Sequence, residues 1–100
     1  MEATVEKNLT EIKQLLKLYG VESAYLFGSA AKDTTGVNND VDFLVRFKTN
    51  LDYETYGDNY FKLLYSLQDL LNKEVDLVAE ETLSNPYLIE SINRSKIQLM

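Results

Sequence analysis

Apolar and polar residues follow two different periods along the chain, and these periods predict the order of its helices and strands. Residues 1–20 carry apolar side chains three or four positions apart, the spacing of an amphipathic helix (Val5, Leu9, Ile12, Leu15, Leu16 and Tyr19). Gly20 follows at the position where a glycine commonly ends a helix. The same spacing predicts a long helix from Tyr53 to Leu71 and a further helix that begins around Asn85 and Pro86.

Shorter apolar runs between these helices predict strands. Residues 24–27, AYLF, form an uninterrupted run that is typical of a buried strand. Residues 41–47, VDFLVRF, alternate, which predicts one face with Val41, Phe43, Val45 and Phe47 and another with Asp40, Asp42, Leu44 and Arg46. Residues 74–79, EVDLVA, also alternate, with Asp76 on the face opposite Val75 and Leu77. The last residues, KIQLM, predict an edge strand.

The order of these elements predicts the fold class. Residues 29–33 suit one or two helical turns with Ser29 as the N-cap, so helices and strands alternate along the chain. This order indicates an α/β (α+β) fold with a small mixed sheet flanked by helices. No repeat, low-complexity tract or linker interrupts it, and 100 residues predict a single domain that spans residues 1–100.

Composition narrows the chemistry that is available. The chain contains no cysteine and no histidine, which excludes a thiolate nucleophile, a Ser-His triad and a metal site built on either residue. A net charge of −6 argues against direct binding of nucleic acid or of an anionic membrane. No apolar stretch approaches the ~20 residues of a membrane span and no signal peptide is evident, so we expect a cytoplasmic protein. Any catalysis must therefore use carboxylates, hydroxyls, Lys or Arg.

Polar residues stand at three places where the predicted sheet is otherwise apolar. Gly28 and Ser29 end the first strand, Asp40 and Asp42 lie at the second, and Asp76 lies in the third. If the three strands are neighbours, the carboxylates converge and repel one another unless a cation joins them. Mg²⁺ prefers carboxylate and phosphate oxygens, and a glycine before a helix N-terminus admits a phosphate to the backbone. The combination predicts phosphoryl or nucleotidyl transfer.

Each of these features also has a purely structural interpretation. Gly28 and Ser29 could form only a strand-to-helix turn. Asp40 and Asp42 could be solvated acids at the edge of a strand, and Asp76 could be a solvent-facing strand residue. The complete pattern G-S-x₁₀-D-x-D is expected by chance roughly once in a thousand cases at this chain's composition, which favours a site.

Several other residues leave two interpretations open. Lys32 suits a phosphate contact, whereas Arg46 is more simply a charge on the surface. Tyr53, Tyr56 and Tyr60 lie at helical spacing, and packing of the helix is the simpler account of them. Seven tyrosines in the chain also leave room for an aromatic surface that binds a partner.

The stretch GSAAKDTTGVNNDVDFLV, residues 28–45, resembles the GSxAR(G)…(S)DxDLLV signature of minimal nucleotidyltransferases, a compact branch of the DNA polymerase β superfamily. EVDLV resembles the strand that carries the third aspartate of that family, and the resemblance extends over nearly the whole chain. It implies that Gly28, Ser29 and Lys32 bind the nucleotide. It also implies that Asp40, Asp42 and Asp76 are catalytic and bind the metal.

Three positions depart from that signature. Lys32 replaces the usual Arg, which keeps the positive charge but loses a bidentate fork for phosphate. Asp33 replaces a glycine and adds a negative charge near the expected triphosphate, whereas Asn39 replaces the common Ser with another short polar residue. We expect the first two changes to weaken nucleotide binding.

The resemblance implies a nucleotidyltransferase that uses two Mg²⁺ ions to transfer NMP, in the first instance AMP from ATP, to a hydroxyl. Asp40 and Asp42 would hold both ions, and Asp76 would take the hydroxyl proton. In this family the acceptor often belongs to a small helical HEPN-type toxin, for which the nucleotidyltransferase is the antitoxin. Two alternatives remain open: a nucleotide- and metal-binding regulatory subunit that neutralises its partner by binding alone, and an enzyme that modifies a small molecule, as aminoglycoside nucleotidyltransferases do.

Overall fold

A computed structural model describes residues 1–28, residue 31 and residues 40–100. The described residues form four α-helices, four β-strands and a short 3₁₀ turn at Glu80–Thr82. In chain order the helices and strands are α1 (Ala3–Lys7), α2 (Leu9–Leu18), β1 (Val21–Phe27), β2 (Val41–Phe47), α3 (Tyr53–Leu71), β3 (Val75–Ala79), α4 (Pro86–Ser95) and β4 (Ile97–Gln98). The helical turns predicted for residues 29–33 fall largely outside the described residues and stay a prediction.

The N-terminal helix differs from its prediction at one point. Asn8 interrupts it with φ −105° and ψ 17°, so that two helices replace the single predicted one. The side-chain amide of Asn8 donates to the carbonyl of Thr4 (2.8 Å), a local hydrogen bond of the kind by which asparagine competes with helix geometry. The predicted end of the helix is confirmed: Gly20 follows α2 with φ +79°, and its N–H donates to the carbonyl of Lys17 (3.2 Å).

The sheet has the strand order β3-β2-β1-β4 and is mixed. β1 runs antiparallel to β2, with Phe27 opposite Asp42, and β2 runs parallel to β3, with Asp42 opposite Asp76. β4 lies antiparallel on the other side of β1, with Tyr25 opposite Gln98, which confirms the predicted edge strand. The three strands that carry the candidate residues are therefore neighbours.

Helix α3 connects the parallel strands. A parallel pair needs a long crossover, and α3 supplies one with 19 residues. Its N-terminus is capped by Asp52, whose carboxylate accepts a hydrogen bond from the N–H of Thr55 (2.7 Å), and it ends at Asn72 in the left-handed conformation. These caps account for the agreement with the predicted bounds. In the part of the chain that the structure describes, neither α3 nor any other helix is long and apolar enough to cross a membrane.

Different helices cover the two faces of the sheet. On one face, Val41, Phe43 and Val45 of β2 pack with the buried side chains of α2 and α3 (Ile12, Leu16, Leu63, Leu67 and Leu71). On the other face, Leu44 of β2 packs with Phe27 and with Ile92 of α4. Because side chains alternate along a strand, Asp42 shares the α4 face with Leu44. The candidate carboxylates therefore project away from the larger core.

Candidate active site

The register of β2 and β3 places Asp42 beside Asp76. The two residues are direct partners in the parallel pair, so their side chains leave the same face of the sheet on strands ~4.8 Å apart. Asp40 directly precedes β2, is exposed, and by alternation belongs to the same face. The register therefore makes Asp42 and Asp76 neighbours on one face, as the alternation of the sequence predicted, and Asp40 stands at the start of that face.

The carboxylates also influence one another electrostatically. Burial, followed by the charges of Asp76 and Asp40, raises the pKa of Asp42 from 3.8 to about 6. Burial penalises the charged form of any carboxyl group, and negative neighbours add to that penalty. A cation or a hydrogen-bond donor near Asp42 would relieve this penalty, which makes the position a candidate functional site.

Gly28 holds the end of β1 against the same carboxylate. It has φ +70°, a conformation that favours glycine, and a Cβ atom at this position would lie 2.5 Å from Oδ2 of Asp42. Only glycine therefore allows the backbone to approach Asp42 so closely. Of the predicted nucleotide-binding residues, Gly28 lies at the site, whereas Ser29 and Lys32 lie outside the described residues and stay predictions.

Ser95, at the end of α4, contacts the same turn. The N–H of Gly28 donates to Oγ of Ser95 (3.3 Å), and this hydroxyl donates to the carbonyl of Ser91 (3.3 Å). The sequence analysis did not identify Ser95, because nothing distinguishes it from any other serine in a helix and its partner lies far away in the sequence. Packing of α4 on the sheet therefore adds a contact to the site that no motif indicates.

The carboxylates suit a hard divalent cation. Among the residues that the structure describes, no three acidic side chains are grouped so that they could form a metal site on their own. The pair Asp42 and Asp76 still fits Mg²⁺, because this ion commonly takes one or two carboxylates and completes its shell with water and substrate phosphates. Gly28 lies against Asp42, so the turn that the resemblance implies for phosphate binding begins next to this pair.

The chain is similar to known proteins over nearly its whole length. The family model described as a nucleotidyltransferase domain matches residues 5–99. A protein of Methanocaldococcus jannaschii that is named as a candidate protein adenylyltransferase is 33% identical over 99 residues, covering 91% of this chain and 97% of the relative.

Two solved structures share the fold. One is the crystal structure of a toxin–antitoxin with AMP-PNP, with 28% identity and a TM-score of 0.74, covering 93% of this chain and 73% of that chain. The other is a tri-AMPylated Shewanella oneidensis HEPN toxin in complex with an MNT antitoxin, with 26% identity and a TM-score of 0.68, covering 95% of this chain and 71% of that chain.

Proposed function

The chain belongs to the nucleotidyltransferase domain family, as its motif predicted, and from this premise we propose that it transfers AMP from ATP to a hydroxyl of a partner protein. The observation that carries the proposal is the in-register pair Asp42 and Asp76 beside the close backbone approach at Gly28. The relative named as a protein adenylyltransferase and the neighbour solved with AMP-PNP support ATP as the donor. The similar structure in which an MNT antitoxin is bound to an AMPylated HEPN toxin supports a small helical protein as the acceptor.

In this proposal one side of the site binds the nucleotide. The turn that begins at Gly28, with the hydroxyl of Ser29 and the ammonium of Lys32, binds the phosphates. Asp42, which lies opposite Phe27 and against Gly28, and Asp40, which directly precedes β2, would hold the Mg²⁺ that accompanies the triphosphate. A cation there would offset the burial and the negative charges of Asp76 and Asp40 that raise the pKa of Asp42.

The other side of the site serves the acceptor. Asp76 lies on the neighbouring strand and is exposed. Together with Asp40 and Asp42 it would hold a second Mg²⁺. Mg²⁺, when bound, neutralises charge on the triphosphate and lowers the pKa of the acceptor hydroxyl. The hydroxyl oxygen forms a bond to the α-phosphorus, the bond between the α-phosphorus and its bridging oxygen to the β-phosphate breaks, and pyrophosphate leaves. Asp76 takes the proton, because the chain contains no histidine that could do so.

Two substitutions test the separate roles proposed for Asp42 and Asp76. Asp42→Asn should weaken binding of Mg²⁺-ATP and abolish transfer together, because Asp42 serves the nucleotide-bound ion. Asp76→Asn should leave nucleotide affinity within a few-fold but lower the transfer rate at least ~100-fold, the low end of what a positioned base contributes. The measurements are titration calorimetry with ATP and the gain of AMP mass on a protein co-purified with the chain from its host.

The same experiment separates the proposal from its main alternative. If the co-purified partner binds but never gains AMP from the wild-type chain, the chain acts as a regulatory subunit that neutralises by binding alone. If Asp76→Asn transfers AMP at the wild-type rate, Asp76 is only a strand residue. Equal ATP affinity in Mg²⁺ and in EDTA would remove the metal from the proposal.

A further inference from the structure

An apolar groove of about 410 Å³ runs between α3 and β3, at the edge of the sheet that β3 forms. β3 occupies one edge of the four-stranded sheet, where β2 is its partner. Of the residues that the structure describes, eight line the groove, and none of these carries a charged side chain (Tyr56, Gly57, Tyr60, Phe61, Leu77, Val78, Ala79 and Thr82). An opening of this size and character suits apolar side chains from another molecule.

Gly57 keeps the groove open. It lies within α3, where a glycine weakens a helix, and a Cβ atom at this position would meet nothing within 4 Å. Tyr53, Phe61 and Tyr65 stand at four-residue steps from it along the same helical row, and their exposed fractions are 98%, 54% and 58%. The rings of Phe61 and Tyr65 stack with centroids 6.3 Å apart. Exposed aromatic rows of this kind mark surfaces that bind other proteins.

Side chains already satisfy the backbone carbonyls along this part of β3. The hydroxyl of Tyr60 donates to the carbonyl of Leu77 (2.6 Å), and the hydroxyl of Thr82 donates to that of Ala79 (2.7 Å). A molecule bound here would have to displace these bonds in order to add a strand to the sheet. The groove therefore favours insertion of side chains over extension of the sheet.

The groove and the acceptor side of the proposed active site share strand β3: the groove opens along this strand, and Asp76 projects from its other face. Val78 lines the groove and, by alternation, projects from the same face as Asp76, two residues earlier in β3. Burial, followed by the charge of Asp76, raises the pKa of Tyr60, which places this groove tyrosine within electrostatic reach of the carboxylate. A polypeptide in the groove would thus lie against the strand that carries Asp76.

The charged side chains beside the aromatic row are acidic around Gly57, and Lys62 follows four residues after Asp58. Glu54 and Asp58 are exposed on α3 next to the aromatic row, and Glu81 borders the groove where its carboxylate accepts a hydrogen bond from Tyr56 (3.5 Å). The apolar lining and these acidic side chains together complement a segment that carries an apolar side chain and basic neighbours.

We propose that this groove binds the acceptor polypeptide: a segment of the partner protein inserts an apolar side chain between Gly57 and Phe61 and sets basic side chains against Glu54 and Asp58. The hydroxyl to be modified then lies at Asp76, on the same strand as the groove. The position of the hydroxyl at Asp76 rests on the proposed function, whereas the binding of the segment in the groove is independent of that function.

Substitutions at Gly57 test the groove without touching the carboxylates. Gly57→Leu fills the space between α3 and β3, and Gly57→Ala is its matched control, since both strengthen the helix but only leucine blocks the opening. The probes are two pools of short labelled peptides, each with one tyrosine and several leucines, in which the remaining positions are lysine in one pool and glutamate in the other. Fluorescence anisotropy measures binding, mass spectrometry measures AMP on the tyrosine, and calorimetry measures Mg²⁺-ATP affinity.

The wild-type chain should bind the lysine pool more tightly than the glutamate pool. Gly57→Leu should weaken that binding at least ~10-fold, as expected when a central anchor pocket is lost, while Gly57→Ala stays within about threefold. All three proteins should bind Mg²⁺-ATP equally. AMP should appear on the tyrosine of the lysine pool with the wild-type chain and be lost with Gly57→Leu.

Three outcomes would overturn the assignment. These are equal peptide binding by the wild-type chain and Gly57→Leu, no preference for the lysine pool, and a wild-type dimer in sedimentation that Gly57→Leu dissociates, which would assign the groove to a second copy of the chain. If the lysine pool binds and Gly57→Leu releases it but no AMP reaches any acceptor, the proposed function fails while the groove stays a binding surface.

Discussion

Gly28 is the residue at which the backbone lies against a carboxylate of the candidate site. Gly28→Ala would combine an unfavourable φ of +70° with a contact of 2.5 Å to the carboxylate of Asp42. We expect the free energy of unfolding to fall by about 2 kcal/mol or more, with loss of nucleotide binding. Urea denaturation and ATP titration measure the two effects.

Gly20 provides the matched control for that experiment. Its φ of +79° carries a similar backbone cost, but a Cβ atom there would meet the side chain of Leu51 at 3.2 Å, and that side chain can move. Gly20→Ala should therefore cost only about 1 kcal/mol and leave ATP binding intact. Equal losses for the two variants would show that contact with Asp42 adds nothing to the cost at Gly28.

Asp42 should make the stability of the metal-free protein depend on pH. Its pKa of about 6 in the folded chain lies above its ordinary value of 3.8, so the folded state binds a proton more tightly than the unfolded state. The stability that this proton contributes is present below about pH 4 and is lost as the pH rises through 6. Asp42→Asn removes the loss, and it should be more stable than the wild-type chain at pH 8.

The expected gain is about 1–2 kcal/mol, because the full shift corresponds to about 3 kcal/mol and partial exposure of the side chain reduces it. Urea denaturation in EDTA at pH 8 and at pH 4 measures the difference, which should be small at the lower pH. A variant that is less stable than the wild-type chain at pH 8 would mean that Asp42 has a stabilising partner in the folded state.

Helix α4 covers the face of the sheet that carries the candidate carboxylates, and its N-cap tests how firmly the helix is placed. The side chain of Asn85 accepts hydrogen bonds from the N–H groups of Tyr87 (2.9 Å) and Leu88 (3.3 Å), and Pro86 occupies the first turn. Asn85→Ala should lower the free energy of unfolding by about 1 kcal/mol, whereas Asn85→Asp should keep the cap. Chemical denaturation of the three proteins measures this, and an equal loss in both variants would contradict a capping role.

Elements with strong local signals could be predicted from the sequence, and those that depend on distant partners could not. The bounds of β2 and α3 follow from alternation, from helical spacing and from their capping residues. β1 starts three residues earlier than predicted, at Val21, because the antiparallel partner β2 extends it through an irregular register between Val21 and Ser23. No local pattern encodes such an extension.

The same distinction applies to the candidate site. Alternation alone places Asp42 and Asp76 on strand faces, and the strand order then makes them neighbours. The contact of Ser95 with Gly28 depends on how α4 packs against the sheet, and the groove beside Gly57 depends on how α3 crosses β3. Both arise from packing between elements, which the periodicity of a single segment does not describe.

At the scale of the molecule, the two faces of the sheet differ: one carries the larger hydrophobic core, and the other carries the candidate carboxylates. The larger core lies on the face covered by α2 and α3, and the smaller cluster under α4 shares its face with the carboxylates. Substitutions in the larger core therefore act chiefly on the free energy of unfolding, as large-to-small core changes do. The opposite face can tolerate repelling carboxylates because the larger core supplies the stability that they reduce.

The parallel pairing of β2 with β3 also has a consequence for folding. Asp42 and Asp76 are separated in the sequence by the whole of α3, so their pairing requires a long loop to close before the strands can register. A slip of one residue would turn Asp76 to the opposite face of the sheet. A kinetically trapped or misregistered chain would then retain most of its secondary structure but lack the paired carboxylates. The proposed AMP transfer would then report correct strand register in a refolding experiment.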